Sequence, residues 1–301
     1  MATTGWSPQP LVFLLYFSSF TLIVVLGQRE VPSDLASLSN MTDQFALMYF
    51  KSFINKDPYN VLSNWNSNVS FCQWNGVSCS RSSQRVVALN LADKALEKAL
   101  SPYLRYLSFL QVFDLTNDSF HGRLPIDFSC LPQLEYLSVG KNNFEGLIPQ
   151  TLSHCRSLQI LLAGDNQFYG SIPKITGTIP IALANLTKLE WFNLGQNQIQ
   201  GNIPPELGSL THLTGFNVQM NNLTGTLLES LFNISALQKL SFMTNQLTGH
   251  LPKDVSHSMP NLQIFYMSDN NFDGPFPPSL SNATSLQSIS AGHINSVVPY
   301  H

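Results

Sequence analysis

The chain of 301 residues carries little charge, because only 11% of its residues are Asp, Glu, Lys or Arg. Fifteen basic residues against eighteen acidic ones give a formal net charge of −3, and no run of like charges occurs. A surface for nucleic acid or anionic lipid would need clustered Lys and Arg. The composition therefore argues against both of these partner classes.

Catalytic and metal-binding patterns are also missing. The seven histidines are scattered, without metal-ligand spacing and without a partnered Ser or Cys nucleophile. Asp114 and Asp165 have no paired carboxylate that would make an acid–base couple. The sequence thus predicts no catalytic residue, no metal site, no cofactor and no enzyme activity.

Only one apolar run approaches the length of a membrane helix. Residues 11–26 are uncharged and largely apolar, as in the hydrophobic region of a secretory signal peptide. Val25 and Gly27 offer a cleavage site, so we predict a signal peptide at 1–27 and a linker at 28–39. No Lys or Arg precedes the run, and an uncleaved membrane anchor is the alternative interpretation.

The sequence does contain an asparagine that returns every 24 residues. Its frame is L-x-x-L-x-L-x-x-N-x-L-x-G-x-I-P, and the clearest copy runs from Leu134 to Pro149. This period and pattern are the signature of leucine-rich repeats, in which each unit forms one turn of a solenoid. We therefore predict an α/β solenoid over 86–294, with about nine repeats, a parallel concave β-sheet and a helical N-terminal cap.

The repeated asparagine leaves each predicted strand inside a narrow core, where its buried amide needs hydrogen-bond partners. Adjacent turns offer the same backbone groups again and again, so we predict a ladder of buried side chains. The frame also extends to Lys94 and Ile294 at the two ends. The interior members of the ladder are Asp118, Asn142, Asn166, Asn197, Asn221, Asn245 and Asn270.

One interval in the ladder is 31 residues long instead of 24. It contains the turn motif twice, from Gly170 to Pro173 and from Gly177 to Pro180. Either seven residues were duplicated there, or 17 residues were lost from two full repeats. We expect a bulged loop on the convex side of the solenoid at this place.

The four cysteines form two groups. Cys72 and Cys79 lie just before the first repeat, and in an oxidising compartment they predict a disulfide that closes the cap. A zinc site is the competing interpretation, but no His or further Cys lies nearby to complete four ligands. Cys130 and Cys155 occupy nearly the same convex position in adjacent repeats. Two small buried thiols are favoured there over a second disulfide.

Asn-x-Ser/Thr sequons agree with a secretory route. Asn185, Asn233 and Asn282 fall on the predicted convex connections, whereas Asn117 and Asn222 flank the ladder, where neighbouring turns could shield them. The seven predicted glycosylation sites are Asn40, Asn68, Asn117, Asn185, Asn222, Asn233 and Asn282.

Residues 40–85 break the repeat pattern and predict a cap that covers the leucines of the first repeat. Thr42 or Asp43 can cap a helix at its start. One face of this helix is apolar and carries Ala46, Leu47, Phe50 and Phe53.

This segment resembles the plant-type N-terminal cap of leucine-rich-repeat receptor kinases. The matching residues are Asp43, Ala46, Leu47, Phe50, Lys51, Asp57, Pro58, Leu62, Trp65, Asn66, Cys72, Trp74, Gly76, Val77, Cys79, Arg85 and Val86. Together with repeats that end in I-P, the likeness covers nearly the whole mature chain. It is greatest for the subfamily of immune receptors for bacterial patterns such as elongation factor Tu.

Proteins of this family combine such an ectodomain with one membrane helix and a cytoplasmic kinase. The sequence has no kinase Gly-rich loop, H-R-D or D-F-G element, and its last residues, 295–301, leave the repeat frame. We therefore interpret the chain as a truncated receptor ectodomain, extracellular or, within a full-length receptor, at the plasma membrane. The resemblance implies recognition of a peptide or protein ligand in immune or developmental signalling, with a co-receptor kinase as a second partner.

Two other functions are compatible with the repeats. A secreted inhibitor of a pathogen cell-wall-degrading enzyme, similar to polygalacturonase inhibitors, would have a similar cap and a comparable length. The missing C-terminal cap and the receptor-like cap sequence argue against it. A cell-wall scaffold would be expected to carry a Pro-rich tail, which the sequence lacks.

The strand residues that alternate with buried leucines should face the concave side. Several of them are aromatic or apolar, which is unusual for a solvated surface and frequent among interface anchors. Lateral packing along the sheet, without any ligand, is the alternative. The predicted ligand-binding residues are Tyr136, Ser138, Lys141, Ile160, Leu162, Asp165, Trp191, Asn193, Asn217 and Tyr266.

Overall fold

The computed structural model describes residues 16–17, 20–21, 39–124, 127–169, 179–227 and 229–292, which divide into two units at residue 37. In the first unit, strands β1 (Tyr16–Phe17) and β2 (Phe20–Thr21) pair antiparallel. The remainder of the predicted signal peptide, the linker up to residue 38 and the divergent tail lie outside the described residues. No helix of the described part is long and apolar enough to cross a membrane.

The cap begins with helix α1 (Asn40–Phe53), whose residues Ala46, Leu47 and Phe50 are buried as the apolar face predicts. The predicted helix cap is wrong, because the helix starts before both Thr42 and Asp43. The Thr42 hydroxyl instead donates a 2.6 Å hydrogen bond to a carbonyl at the helix start.

Asp43 has a different role, since it ties α1 to the first repeat. Its carboxylate accepts hydrogen bonds from Arg85 Nε at 2.9 Å, from Arg85 Nη2 at 2.7 Å and from the Val86 backbone N–H at 2.8 Å. Both partners of this ion pair are almost fully buried. Removing one partner of such a pair strongly destabilises a fold, because the other charge stays buried.

The rest of the cap is held by aromatic packing and by a disulfide. Short 3-10 turns span Val61–Asn64 and Phe71–Gln73. Trp65 stacks on Trp74 with ring centroids 5.2 Å apart. Cys72 and Cys79 form the predicted disulfide, which confirms that part of the sequence analysis.

One long sheet carries the repeats, and its order confirms the leucine-rich-repeat solenoid. The first strand pairs antiparallel with the second, and every later pair is parallel. Its strands are β3 (Val77–Cys79), β4 (Val86–Asn90), β6 (Val112–Asp114), β8 (Tyr136–Ser138), β10 (Ile160–Leu162), β12 (Trp191–Asn193), β14 (Gly215–Asn217), β16 (Lys239–Ser241), β18 (Ile264–Tyr266) and β20 (Ser288–Ser290).

Two short parallel sheets follow the ladder positions. The first contains β5 (Glu97–Ala99), β7 (Ser119–Arg123), β9 (Asn143–Gly146) and β11 (Gln167–Phe168). The second contains β13 (Gln200–Gly201), β15 (Asn222–Thr226), β17 (Gln246–Gly249) and β19 (Asn271–Phe272).

A series of short helical segments completes the turns. Most consecutive segments pack on one another, which gives these repeats a second contact with their neighbours. They are 3-10 turns at Pro102–Tyr106, Phe128–Cys130, Gln150–His154, Ile181–Asn185, Pro205–Ser209 and Pro278–Asn282, with helices α2 (Glu229–Phe232) and α3 (Val255–Ser258).

The core lies between the long sheet and these segments. Phe120, Phe144 and Phe168 stack at centroid distances of 6.2 Å, with one ring contributed by each successive repeat. All three are fully buried, and burial of a side chain of this size contributes roughly 1.5–3 kcal/mol. No repeat can bury its ring alone, so the stability of each turn depends on its neighbours.

The expected bulge in the 31-residue interval falls on residues 170–178, which lie outside the described residues. On either side of it the repeats continue in register. Ile160 of β10 pairs with Trp191 of β12, and the Phe168 N–H donates a 2.9 Å hydrogen bond to Asn197 Oδ1. The extra residues therefore interrupt neither the long sheet nor the ladder.

Candidate ligand-binding face

The ladder asparagines satisfy their amides with backbone groups of adjacent turns. In Asn221, Oδ1 accepts a 3.0 Å hydrogen bond from the Ile199 N–H. Its Nδ2 donates to the carbonyls of Leu194, Val218 and Gln219 at 2.9, 3.1 and 3.2 Å. The same pattern recurs at Asn142, Asn166, Asn197, Asn245 and Asn270.

Asp118 occupies the same position in its repeat, but its ionised carboxylate cannot donate a hydrogen bond. Its Oδ1 accepts 3.0 Å hydrogen bonds from the N–H groups of Lys94 and Leu96, the first of which is the end slot of the frame. Its Oδ2 is buried and has no hydrogen-bond partner in the described part of the chain. Desolvation of this carboxyl raises the pKa of Asp118 to about 6, with a smaller contribution from nearby Asp93. Ile294, the other end slot, lies outside the described residues.

The outward face of the long sheet, called the outer sheet face below, is the face predicted to be concave. Three of the predicted ligand-binding residues, Tyr136, Ile160 and Trp191, begin strands β8, β10 and β12. Tyr136, Ile160 and Trp191 are direct neighbours in this register, and each is half-buried. The structure thus brings these three predicted residues into one row, with Leu162 half-buried beside them.

Tyr136 belongs to a polar group at one end of this row. Desolvation raises the pKa of Tyr136, and the nearby Asp114 carboxylate raises it further. Asp114 accepts hydrogen bonds from the Thr116 backbone and hydroxyl at 3.0 and 2.7 Å. Thr116 is also bonded to the Ser138 hydroxyl, and Ser138 is only 1% exposed. Ser138 therefore offers almost no surface to a ligand, contrary to its predicted role.

Trp191 packs along the sheet instead of projecting from it. Its six-membered ring lies on Gly215 of the next strand, where a Cβ would come within 2.5 Å of the indole. Lys239 of the strand after that places its ammonium 5.1 Å from the ring centroid. The lateral packing considered as an alternative is therefore present at Trp191, although the ring remains half-buried.

The second outward position of a strand is polar in β12 and β14. Asn193 Oδ1 accepts a 2.9 Å hydrogen bond from the Gly195 N–H, and Asn217 Oδ1 accepts one of 3.0 Å from the Gln219 N–H. Further along the sheet, the hydroxyl of Tyr266 in β18 lies 3.2 Å from the hydroxyl of Ser288 in β20.

The edge beside the ladder carries the remaining predicted residues. Lys141 and Asp165 have left-handed backbones, with φ of 53° and 55°, a conformation that non-glycine residues rarely adopt. The repeat geometry demands this turn before each ladder residue, and it directs the side chains to the edge. Lys141 is exposed and Asp165 is half-buried.

Sequence reasoning did not select Gly215, Lys239 or Gln219 for the ligand-binding set. The sequence does contain a pattern that could have identified the stacking of Trp191. Trp191, Gly215 and Lys239 hold the same strand position in successive repeats. A bulky ring followed by a glycine and then a long cation predicts lateral stacking. It becomes visible only when the repeats are aligned and compared across strands.

The structure also places the cysteine and sequon residues. All seven sequon asparagines are exposed, including Asn117 and Asn222, which neighbouring turns do not shield. The Asn117 side chain donates a 2.7 Å hydrogen bond to Asp93. Cys155 is a free buried thiol, and burial raises its pKa to about 12. The side chain of Cys130 lies outside the described residues.

Comparison with known proteins agrees with this architecture. Residues 40–80 match the family described as a leucine rich repeat N-terminal domain, and 133–155, 188–210 and 261–283 match the leucine rich repeat. The chain therefore contains a leucine rich repeat N-terminal domain followed by leucine rich repeats. Among its homologues is the LRR receptor-like serine/threonine-protein kinase EFR of Arabidopsis thaliana, which is 37% identical over 119 residues. That match covers 38% of this chain and 11% of the kinase.

Solved receptor structures share the fold over most of the chain. The complex PEPR1–AtPEP1 has a TM-score of 0.74 at 27% identity, covering 84% of this chain and 38% of the receptor chain. The Arabidopsis HAESA ectodomain, in complex with an N-terminally extended IDA peptide hormone, has a TM-score of 0.69 at 29% identity. It covers 86% of this chain and 46% of that ectodomain. The chain thus spans less than half the length of these receptor chains.

Proposed function

We propose that the chain is the extracellular ligand-recognition module of a leucine-rich-repeat receptor kinase, and that it binds a peptide or protein on the outer sheet face. The observation that carries this proposal is the row formed by Tyr136, Ile160 and Trp191. Three large, partly exposed side chains on adjacent strands offer a continuous apolar surface, and aromatic side chains of this kind anchor interfaces. An extended chain can lie across such a row, because the strands repeat at a constant spacing of about 4.8 Å.

The structural comparisons support a peptide as the ligand. PEPR1–AtPEP1 is a complex, and HAESA is bound to the IDA peptide hormone. A second HAESA structure also contains the co-receptor SERK1. We therefore include a co-receptor kinase as a second partner of the proposed receptor.

The exposed sequons and the cap disulfide support an extracellular location. All seven asparagines are accessible to glycosylation, and the Cys72–Cys79 disulfide is of the kind that persists in oxidising compartments.

A selection with displayed random peptides tests the proposed binding face. The secreted chain is used as bait, enriched peptides are synthesised, and their dissociation constants are measured by isothermal titration calorimetry. We expect Tyr136→Ala combined with Trp191→Ala to weaken binding about tenfold or more, because aromatic anchors carry a large share of interface energy. Thermal unfolding of each variant is measured as well, because both side chains are half-buried and their removal also takes packing area from the sheet.

Ile181→Ala provides the matched control. Ile181 is an apolar side chain that is 56% exposed, and it lies in a 3-10 turn, away from the long sheet. This variant should bind the selected peptides with unchanged affinity. Selection that enriches no peptide, or equal losses of affinity in the control and the double variant, would contradict the proposal.

A further inference from the structure

The outer sheet face carries very few charges, and one of them is the carboxylate of Asp114. In the three-residue strands of the long sheet, from β6 to β20, the outward positions are the first and third residues. Only Asp114 of β6 and Lys239 of β16 are charged at these positions. Asp114 is half-buried, and its direct strand neighbours, Asn90 and Ser138, are uncharged. The carboxylate is therefore a negative charge among neutral neighbours on the sheet.

Asp114 stabilises its own turn with one of its two oxygens. Its Oδ1 accepts hydrogen bonds from the Thr116 N–H at 3.0 Å and from the Thr116 hydroxyl at 2.7 Å. In other turns the corresponding residue is an asparagine, whose Oδ1 accepts a hydrogen bond from the N–H two residues later. These asparagines are Asn90, Asn193 and Asn217, with distances of 3.2, 2.9 and 3.0 Å. A neutral amide is thus sufficient for this turn, which does not require the negative charge of Asp114.

The second oxygen of Asp114 is free. Within the described part of the chain, Oδ2 accepts no hydrogen bond, and no Lys, Arg or His nitrogen lies within ion-pair distance of the carboxylate. A partly buried carboxylate has lost some of its hydration, and a cationic hydrogen-bond donor compensates this loss. Asp114 therefore offers a free acceptor atom together with an uncompensated charge.

Tyr136 and Val112 place apolar surface beside this oxygen. Val112 precedes Asp114 by two residues on β6, and Tyr136 is the direct partner of Val112 on β8. Asp114 and Tyr136 are diagonal neighbours on the same face, about 8 Å apart at the backbone, a distance that an aromatic side chain spans. Their proximity is also evident from the pKa of Tyr136, which desolvation raises and the Asp114 carboxylate raises further. All three side chains are half-buried, so a ligand can reach the carboxylate and the apolar surface together.

We propose that Asp114, Tyr136 and Val112 form a site for a cationic side chain of the ligand, Lys or Arg. This inference rests on the proposed function and specifies the chemistry of one ligand residue. The ammonium or guanidinium group donates to Asp114 Oδ2, while the apolar stem of the side chain lies along Val112 and the Tyr136 ring. Because Oδ1 already accepts two hydrogen bonds, the forked pairing that favours Arg over Lys is not formed, and either cation fits.

Peptide libraries with one fixed residue test the inference. Random hexapeptides are synthesised in four sublibraries, in which one position is fixed as Lys, Arg, Gln or Glu. Each sublibrary is passed over the immobilised chain, and the retained peptide is quantified by mass spectrometry. We expect the Lys and Arg sublibraries to be retained about fivefold more than the Gln sublibrary, and the Glu sublibrary least. The preference should fall as salt screens the charge.

Asp114→Asn decides whether this carboxylate is responsible for the preference. The amide keeps an oxygen for the Thr116 N–H, as Asn193 does in its own turn, so the variant should fold and lose only the charge. We expect the retention of the Lys and Arg sublibraries to fall to the level of the Gln sublibrary. Thermal unfolding of the variant is measured to verify that it is folded.

Asp254→Asn is the matched control, because a chain with a net charge of −3 attracts cations without a specific site. It makes the same change of net charge at an exposed residue that precedes α3, away from the long sheet. This variant should keep the preference for Lys and Arg. An equal loss of preference in both variants would overturn the site and attribute the preference to net charge.

The outcomes separate this inference from the function on which it rests. Equal retention of the four sublibraries by a chain that binds peptides would overturn the cation site and leave the proposed function intact. An unchanged preference for Lys and Arg in folded Asp114→Asn would also overturn it. A chain that retains none of the peptides would contradict the proposed function together with the site.

Discussion

The two faces of the long sheet use the same residue types in different ways, and the asparagines of one repeat illustrate this. Asn221 lies on the core side and makes four hydrogen bonds to backbone groups. Asn217, four residues earlier on the outer sheet face, makes one. The core side repeats at every turn, because each turn must present the same backbone groups to the next. The outer sheet face is free of this constraint, and its residues vary from turn to turn.

The largest expected effect concerns the most deeply buried polar contact, where the cap meets the first strand. Asp43→Ala removes the partner of a buried Arg85 and the acceptor of the Val86 N–H. We expect a loss of about 3–5 kcal/mol in the free energy of unfolding, as is usual when one partner of a buried pair is removed. Urea denaturation followed by circular dichroism measures this loss.

An exposed ion pair supplies the matched comparison. Asp127→Ala breaks the 3.0 Å contact with Arg105, in which both side chains are 40% exposed. Pairs of this type contribute about 0–1 kcal/mol. Similar losses in the two variants would mean that burial does not set the value of these contacts.

A smaller effect is expected for the two asparagines compared above. Asn221→Ala leaves the Ile199 N–H without its acceptor inside the core and removes one of the two hydrogen bonds that the Leu194 carbonyl accepts, since Asn197 still donates the other. An unsatisfied buried group costs about 1–3 kcal/mol, so we expect a loss of about 1–3 kcal/mol. Asn217→Ala, with the identical change on the outer sheet face, should cost less than about 1 kcal/mol. The difference in urea midpoints between the two variants gives the result.

If Asn217→Ala destabilised the chain as much as Asn221→Ala, the outer sheet face would be as structural as the ladder. The distinction between the two faces would then be wrong. Weak destabilisation by both variants would instead remove the ladder as a source of stability.

The regular features of this fold were predictable because they are local and repeated. The 24-residue period places each strand, and the alternation within it separates inward Leu137 from outward Tyr136. The same period marks the ladder, since a buried amide is needed once per turn. These inferences require only that neighbouring turns be alike.

The contacts that the sequence did not predict depend on partners that are specific to one place. Asp is a residue type that often caps helices. The carboxylate of Asp43 instead accepts hydrogen bonds from Arg85, which lies 42 residues further along the chain. Ser138 is buried, and its hydroxyl is bonded to Thr116 of the preceding turn. Trp191 lies flat because the next turn has a glycine at the paired position. Local patterns cannot report such contacts, because they arise from differences between turns.

The smallest expected effect is a gain in stability at the ladder position that departs from the rule. Asp118→Asn provides the amide nitrogen that the other ladder residues use, and it replaces the buried Oδ2 that lacks a partner. In the folded state the pKa of Asp118 is raised from 3.8 to about 6. The folded protein therefore binds this proton more tightly than the unfolded chain. Stability from this group is present below about pH 4 and is lost as the pH rises through about 6.

At pH 7 the variant should be more stable than the wild type by about 1 kcal/mol, a value discounted because the group is partly exposed to solvent. At pH 4 the advantage should shrink, since the wild-type carboxyl is then protonated and can itself donate. Urea denaturation of both proteins at pH 4, 5, 6 and 7 measures this convergence. A constant difference across the series would show that Asp118 does not titrate in the folded protein near pH 6. The stability difference between Asn and Asp at this ladder position would then not arise from the ionisation of a buried carboxyl.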